Sequence, residues 1–225
     1  MELKDVMRTA FSARDFVDEP VSDDVLYRIF DSARFAPSGG NRQGWNVIVV
    51  RDRVKRLALA ELIRPTFKRY LAQVRRGESP WNTIVPSNVT TEEIAAAEPP
   101  PGMIERLVTS PVLLIVTVDL RVVASFDSQL DRIGVISGAS IYPFVWNILL
   151  AANDEGLGGT LTTFVTGQEP KVRALFGMPD YVAVAAMLPI GKPVKRLTRL
   201  KRKRVESFVF EDRWDGEAFG KVRRL

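Results

Sequence analysis

Four short segments carry residue types that could hold an anion and a polar ring. In RTAFSARDF, residues 8–16, the Ser12 hydroxyl and the Arg14 guanidinium stand two positions apart. That pair suits charge-assisted bonds to phosphate oxygens, although an Arg and a Ser near an N-terminus can also simply face water. In Pro37-Ser38-Gly39-Gly40-Asn41-Arg42-Gln43-Gly44-Trp45, paired glycines sit among short polar groups. Such a stretch lets the backbone approach a ring with alternating donors and acceptors; the plainer reading is an Asn/Gly turn from helix to strand. Trp45 is expected in the core. Gly156-Leu157-Gly158-Gly159-Thr160-Leu161-Thr162-Thr163 matches neither a dinucleotide fingerprint nor a P-loop. Its backbone N–H groups could stabilise charge developing on a ligand, or its glycines could only end a helix. The fourth segment, KRLTRLKRKR at 195–204, carries seven basic side chains, which fits a solvated face or a phosphate contact, including RNA or DNA.

The remaining composition narrows the chemistry. The 225 residues include no Cys and no His. Disulfides, thiolate nucleophiles, iron–sulfur clusters, cysteine-ligated zinc, histidine triads and imidazole proton shuttles are all excluded. Any catalysis must use a borrowed group. A formal charge of +5 favours anionic ligands or surfaces. The first residues lack a basic flank followed by an apolar run, and no apolar stretch nears the roughly 18 residues of a membrane span, so a cytoplasmic location is expected.

The elements that must position these segments follow from periodicity. Ser22 caps a helix whose apolar Leu26, Ile29, Phe30 and Ala33 recur at helical spacing. Pro37 ends it and leaves PSGGNRQG as a loop. Trp45–Val50, Val112–Val118 and Val182–Leu188 read as strands, the last two too continuously apolar for exposed edges. Residues 54–76 read as helix. Gly77–Pro101, with five prolines, does not resemble a core element and is expected to form a lid or wrap a partner, with substrate specificity residing there. Residues 137–155 are apolar around nearly the whole helical circumference, which points to a subunit interface or to a central core helix of a monomer. Pro143 should kink that helix or mark its start. In the C-terminal stretch, Phe208, Phe210 and Trp214 suggest a tail that packs against something.

Taken in order, AFSARDF, PSGGNRQGW, GLGGTLTTF, LPIGKPV at 188–194 and the Arg-rich C-terminal element resemble the nitroreductase-like flavoprotein family over nearly the whole chain, except about residues 64–105. The resemblance implies an α+β fold with a central, mostly antiparallel sheet flanked by helices, in an intertwined homodimer. Residues 1–225 would form one domain, 64–105 a variable excursion or lid, and 195–225 an arm packing on the partner subunit. It also implies FMN at two shared sites, reduced by NADH or NADPH and reoxidised by a small aromatic, nitroaromatic or quinone-like acceptor. Carried onto this chain, Ser12 and Arg14, with Arg202 and Arg204, would hold the FMN phosphate. Pro37, Ser38, Gly39 and Asn41 would contact flavin and ribityl from the neighbouring subunit, with Gln43 supporting the loop. The backbone of Leu161, Thr162 and Thr163 would face the reactive ring edge, and no side chain there would act as acid or base. Two departures stand out. Ala10 and Phe11 replace residues that are commonly basic, a loss that Arg8 or the basic tail would have to offset. Gly44 replaces a proline and is expected to loosen its loop. The rival readings are a flavin-binding member without reductase activity and a nucleic-acid-binding protein; membrane partners are not expected, and nucleic acid is the less favoured reading.

Overall fold

The computed structural model describes residues 1–220. Helices α1 (Leu3–Thr9) and α2 (Asp23–Ala33) precede strand β1 (Trp45–Val49), and the long helix α3 (Arg53–Arg75) follows. Short helices α4 (Thr91–Ala96) and α5 (Met103–Val108) lead into β2 (Val112–Asp119). Helix α6 (Tyr142–Asp154), the two-residue strand β3 (Gly158–Gly159), α7 (Glu169–Phe176) and β4 (Val182–Gly191) complete the set. The sheet order is β1-β2-β4-β3, antiparallel throughout. This is the α+β architecture expected from the sequence.

Strand periodicity explains the layering. Along β2, Val112, Leu114, Val116 and Val118 join one apolar cluster with α2 and α6, while Leu113 and Ile115 join a second with α3, α5 and α7. A strand buried on both faces needs apolar residues at every position, which is why β2 and β4 read as continuous hydrophobic runs. The one buried hydroxyl in β2, Thr117, reaches the Asn46 carbonyl at 3.5 Å, beside a register shift between Val116 and Thr117. Trp45 is partly buried and stacks on Phe144 at 4.7 Å, a core role as expected.

Helix ends follow their capping chemistry. The Ser22 hydroxyl accepts from Val25 N–H, and the Asp52 carboxylate accepts from Val54 and Lys55 N–H at 2.7 and 3.2 Å. Pro143 lies in the first turn of α6 and marks its start, after a 3-10 turn over Ile136–Ser140. Helix α6 buries Phe144, Val145, Ile148, Leu149 and Ala152, and leaves Tyr142 and Trp146 more than two-fifths exposed. One face of α6 thus belongs to the core, as one of the two sequence readings has it, and the other carries exposed aromatic surface.

The helix expected over 54–76 is α3, and the irregular excursion follows it. Within that excursion α4 carries a complete capping box between Thr90 and Glu93. Gly44 does not loosen its loop: a Cβ there would lie 2.5 Å from Val122 Cγ2, and the Gly44 carbonyl accepts Asp119 N–H at 2.8 Å. Close packing fills the space a side chain would need. The tail from 195 is described to Gly220, and its last residues, 221–225, lie outside the described part of the expected arm.

The loop between β2 and α6 is tied by one buried carboxylate. Asp127 accepts from Val135 and Ile136 N–H, the Ser125 hydroxyl and Arg132 Nη1, the last at 2.7 Å. Those bonds, led by the Val135 N–H, hold its pKa at about 2 against an ordinary 3.8. A depressed carboxylate stabilises the fold fully above the ordinary value and loses that contribution as pH falls through the folded one. Acid should therefore loosen this loop between pH 3.8 and about 2. Asp127→Asn should lower the unfolding midpoint at about pH 5 and shrink the further drop on going to about pH 2.5, as read by thermal denaturation across that range.

Candidate functional site

The segment after α6 is built for close approach. A Cβ on Gly158 would lie 2.7 Å from Pro193 Cγ, and one on Gly159 would lie 2.9 Å from both Ile190 Cγ1 and the Pro189 carbonyl oxygen. The two glycines let this strand lie flat against β4, and the pairing continues beyond them. Thr160 N–H donates to the Pro189 carbonyl at 3.3 Å, and Thr162 exchanges both backbone bonds with Met187, at 3.1 and 2.8 Å. Residues 160 and 162 therefore turn inward and are buried, while Leu161 and Thr163 turn outward and are exposed.

The outer edge of this strand meets two things. At its start, Ala13 N–H donates to the Gly159 carbonyl at 3.0 Å, and Ser12 bridges to Gly159 in parallel. Farther along, the N–H groups of Leu161 and Thr163 have no acceptor among the described residues, and the buried Thr162 Oγ1 is likewise unpartnered. The buried Thr162 hydroxyl carries a desolvation cost, and the N–H groups of the two exposed residues stand open to a ligand with lone pairs.

That edge is the floor of a cleft of about 1000 Å³. Arg14 and Asp15 enter it from the N-terminal segment. Thr66, Phe67 and Tyr70 of α3 form one wall, joined by Phe164, whose ring meets those of Phe67 at 4.8 Å and Tyr70 at 5.4 Å. Trp81 and Pro100 of the excursion, with Met103 and Arg106 of α5, form the lip. Among the described residues Arg14 donates only to its near neighbour, the Ser12 carbonyl, at 3.3 Å. The cleft thus has cationic and main-chain donors at the floor and aromatic carbon on the walls.

A smaller hollow of about 210 Å³ adjoins it, lined by Ala10, Phe11, Ser12, Trp146, Gly159, Leu161 and Arg202 among others. Leu161 borders both spaces. The basic tail reaches this hollow because Arg196 anchors it, donating to Asn153 Oδ1 at 3.1 Å and the Leu157 carbonyl at 2.8 Å. Arg202 accordingly stands where Ala10 and Phe11 leave no charge. Arg204 instead pairs with Glu206 at 3.3 Å and borders neither space.

The 37–45 loop lies apart from both. Ser38 Oγ accepts Gln43 N–H at 2.9 Å, Gln43 Nε2 donates to Asn41 Oδ1 at 3.2 Å, and Gly39 N–H donates to Ser140 Oγ at 3.1 Å. Asn41 and Gln43 adopt φ of 52° and 49°, a left-handed backbone that Asn tolerates better than most residues. Pro37, Ser38, Gly39 and Asn41 line neither cleft of the single chain. The structure thus gathers Ser12, Arg14, Leu161, Thr162, Thr163 and Arg202, and leaves Arg204 and the 37–41 loop outside. Sequence reasoning did not single out Phe67, Tyr70, Phe164 or Arg106. The first three share helical or turn spacing with core residues, and Arg106 is one basic residue among many.

An antiparallel sheet between helical layers, with a strand edge of unpaired N–H groups under an aromatic-walled cleft, frames the candidate site. The profile of the Nitroreductase family matches residues 7–192, and this chain belongs to that family. It is 25% identical over 210 residues to iodotyrosine deiodinase 1 of Rattus norvegicus, covering 92% of this chain and 68% of that one. It is 26% identical over 209 residues to nitrobenzene nitroreductase of Ectopseudomonas oleovorans, covering 84% and 86%. Among solved structures it resembles the NADPH:FMN oxidoreductase of Vibrio harveyi complexed with NAD+, with a TM-score of 0.66 at 18% identity over 94% of this chain and 77% of that one. No helix among the described residues is long and apolar enough to cross a membrane.

The floor strand is the most constrained part of the site. Gly159→Ala forces carbon against the Pro189 oxygen and Leu149 Cδ2, and should cost about 1–3 kcal/mol of stability. Thermal unfolding would check this, and an unchanged midpoint would show that the strand can slide.

Proposed function

We propose that this protein is an FMN-dependent oxidoreductase that passes electrons from NADH or NADPH to a small electron-poor acceptor such as a nitroaromatic or quinone, working as a homodimer. The observation that carries the reading is the unpaired donor edge at Leu161 and Thr163, beside Arg14 and below an aromatic-walled cleft. The residues present fit FMN. Arg14, Ser12 and Arg202 supply donors and positive charge for a phosphate, and the hollow holding Ser12 and Arg202 shares Leu161 with the larger cleft. The chemistry FMN supplies when bound is redox exchange between a reduced nicotinamide and a second substrate.

The polypeptide's share is binding and electrostatics. Leu161 and Thr163 offer fixed N–H donors to an acceptor atom that gains negative charge, and these need no reorganisation as charge develops. Phe67, Tyr70 and Phe164 exclude water from one side and give a flat substrate a surface to lie on. With no His or Cys in the sequence, no imidazole or thiol is available for proton transfer.

Two observations support a second copy. The 37–41 loop lines neither cleft of its own chain, which agrees with presentation to a neighbour's site. Tyr142 and Trp146 on α6, together with Phe208, Trp214 and Phe219 on the tail, leave aromatic surface uncovered. The anchoring of the basic run by Arg196, with Arg202 at a cleft, also favours a cofactor phosphate over a nucleic-acid backbone.

Arg14→Ala should lower FMN retention about tenfold or more, the factor carried by one charge-assisted bond, while leaving the product spectrum nearly unchanged. Thr163→Ala should matter little, because its contribution is through the main chain. Visible absorption of the purified protein with excess FMN, followed by titration with NADH and NADPH, measures both; a folded preparation that takes up no FMN overturns the reading.

A further inference from the structure

The lip of the cleft is more elaborately built than a passive loop requires. Trp81 adopts φ of +55°, a left-handed backbone that a bulky residue keeps only when its surroundings impose it. Those surroundings are specific. Trp81 N–H donates to Oε1 of Gln73 at 3.3 Å, and the Gln73 side chain is buried in α3. The Arg69 guanidinium lies 4.7 Å from the Trp81 ring centroid. Glu78 ties the loop by accepting from the Ser87 hydroxyl at 2.5 Å and Asn88 N–H at 2.8 Å. The excursion thus holds one indole at the mouth of the cleft, nearly half exposed.

Charge at that mouth is a loose pair beside a second arginine. The charged side chains lining the cleft are Arg14, Asp15 and Arg106. Arg106 meets Asp15 only loosely, at 3.6 Å, with both side chains more than half exposed. Exposed pairs of this kind contribute little and rearrange readily. A ligand carboxylate that reaches Arg106 would find a guanidinium able to make two parallel bonds and held only weakly by its present partner.

We propose that Trp81 and Arg106 select the acceptor, and that the preferred acceptor class is a planar aromatic ring bearing a carboxylate. The ring lies against Trp81 and the aromatic wall, and the carboxylate is bound by Arg106. The inference rests on the reductase reading, since it names the substrate class of the same cleft. Gln73 is a positioning residue that acts through Trp81.

The test uses the full chain with FMN added and two isosteric probes, 4-nitrobenzoate and 4-nitrobenzamide, whose binding is followed by quenching of tryptophan fluorescence without turnover. Wild type should bind the anion about tenfold more tightly than the amide, the factor of one charge-assisted bond. Arg106→Gln should bring that ratio close to one, and Arg106→Lys should restore part of it. Trp81→Phe should remove most of the quenching signal. Equal affinities in wild type, or quenching that persists in Trp81→Phe, overturn the proposal. So does an Arg106→Gln effect that falls on NADPH affinity and not on the anion-to-amide ratio, because Arg106 would then serve the nicotinamide's phosphates. Uptake of FMN is read separately from visible absorption, so failure of the reductase reading is distinguishable from failure of the anion preference.

Discussion

The close pairing of Gly158–Thr162 with β4 is the constraint on which the site depends. It requires two residues without side chains, because Ile190, Pro189, Pro193 and Ala13 occupy the space a Cβ would take. Once the strand lies flat, alternation does the rest: Thr160 and Thr162 are drawn into the sheet, and Leu161 and Thr163 turn their N–H groups outward. The N-terminal segment docks on the same edge through Ala13 and Gly159. That docking carries Ser12 to one hollow and Arg14 to the other, so the donor edge and the cationic group share one scaffold.

The hydrophobic layers serve this edge. Strands β2 and β4 are covered on both faces, by α2 and α6 on one side and α3, α5 and α7 on the other. Such a sheet has little freedom to shift register, since a slip by one residue would move every side chain to the wrong layer. Arg56 adds a polar clamp, donating to the carbonyls of Val50, Val108 and Ser110 and so tying the start of α3 to the ends of β1 and α5. Burial pushes the pKa of that guanidinium down from its ordinary value, yet arginine titrates so high that it stays charged and keeps donating.

Much of this was legible because the signals were local. Ser22 as a cap, Pro143 as a helix start and the apolar runs of β2 and β4 each follow from a few neighbouring residues. Strand β3 was not legible as a strand, because glycine is depleted in strands and its reason for being there lies in residues 189–193. Gly44 was misjudged for the same reason, its constraint coming from Val122. Helix α4 was missed: its capping signature, Thr90 and Glu93, lies in a stretch whose five prolines read as loop. The position of Trp81 was beyond reach, since its left-handed backbone depends on a glutamine eight residues earlier and a carboxylate knot that closes ten residues away.

Floor and lip are therefore made of different material. The floor is woven into the sheet by backbone bonds to β4, whereas the lip hangs on side-chain bonds from Gln73 and Glu78 and holds a conformation that its own tryptophan disfavours. The lowest-energy excursions of such a structure belong to the part with fewest main-chain ties. On that principle the mouth is the less costly part to open, and the strand beneath it keeps its register when it does.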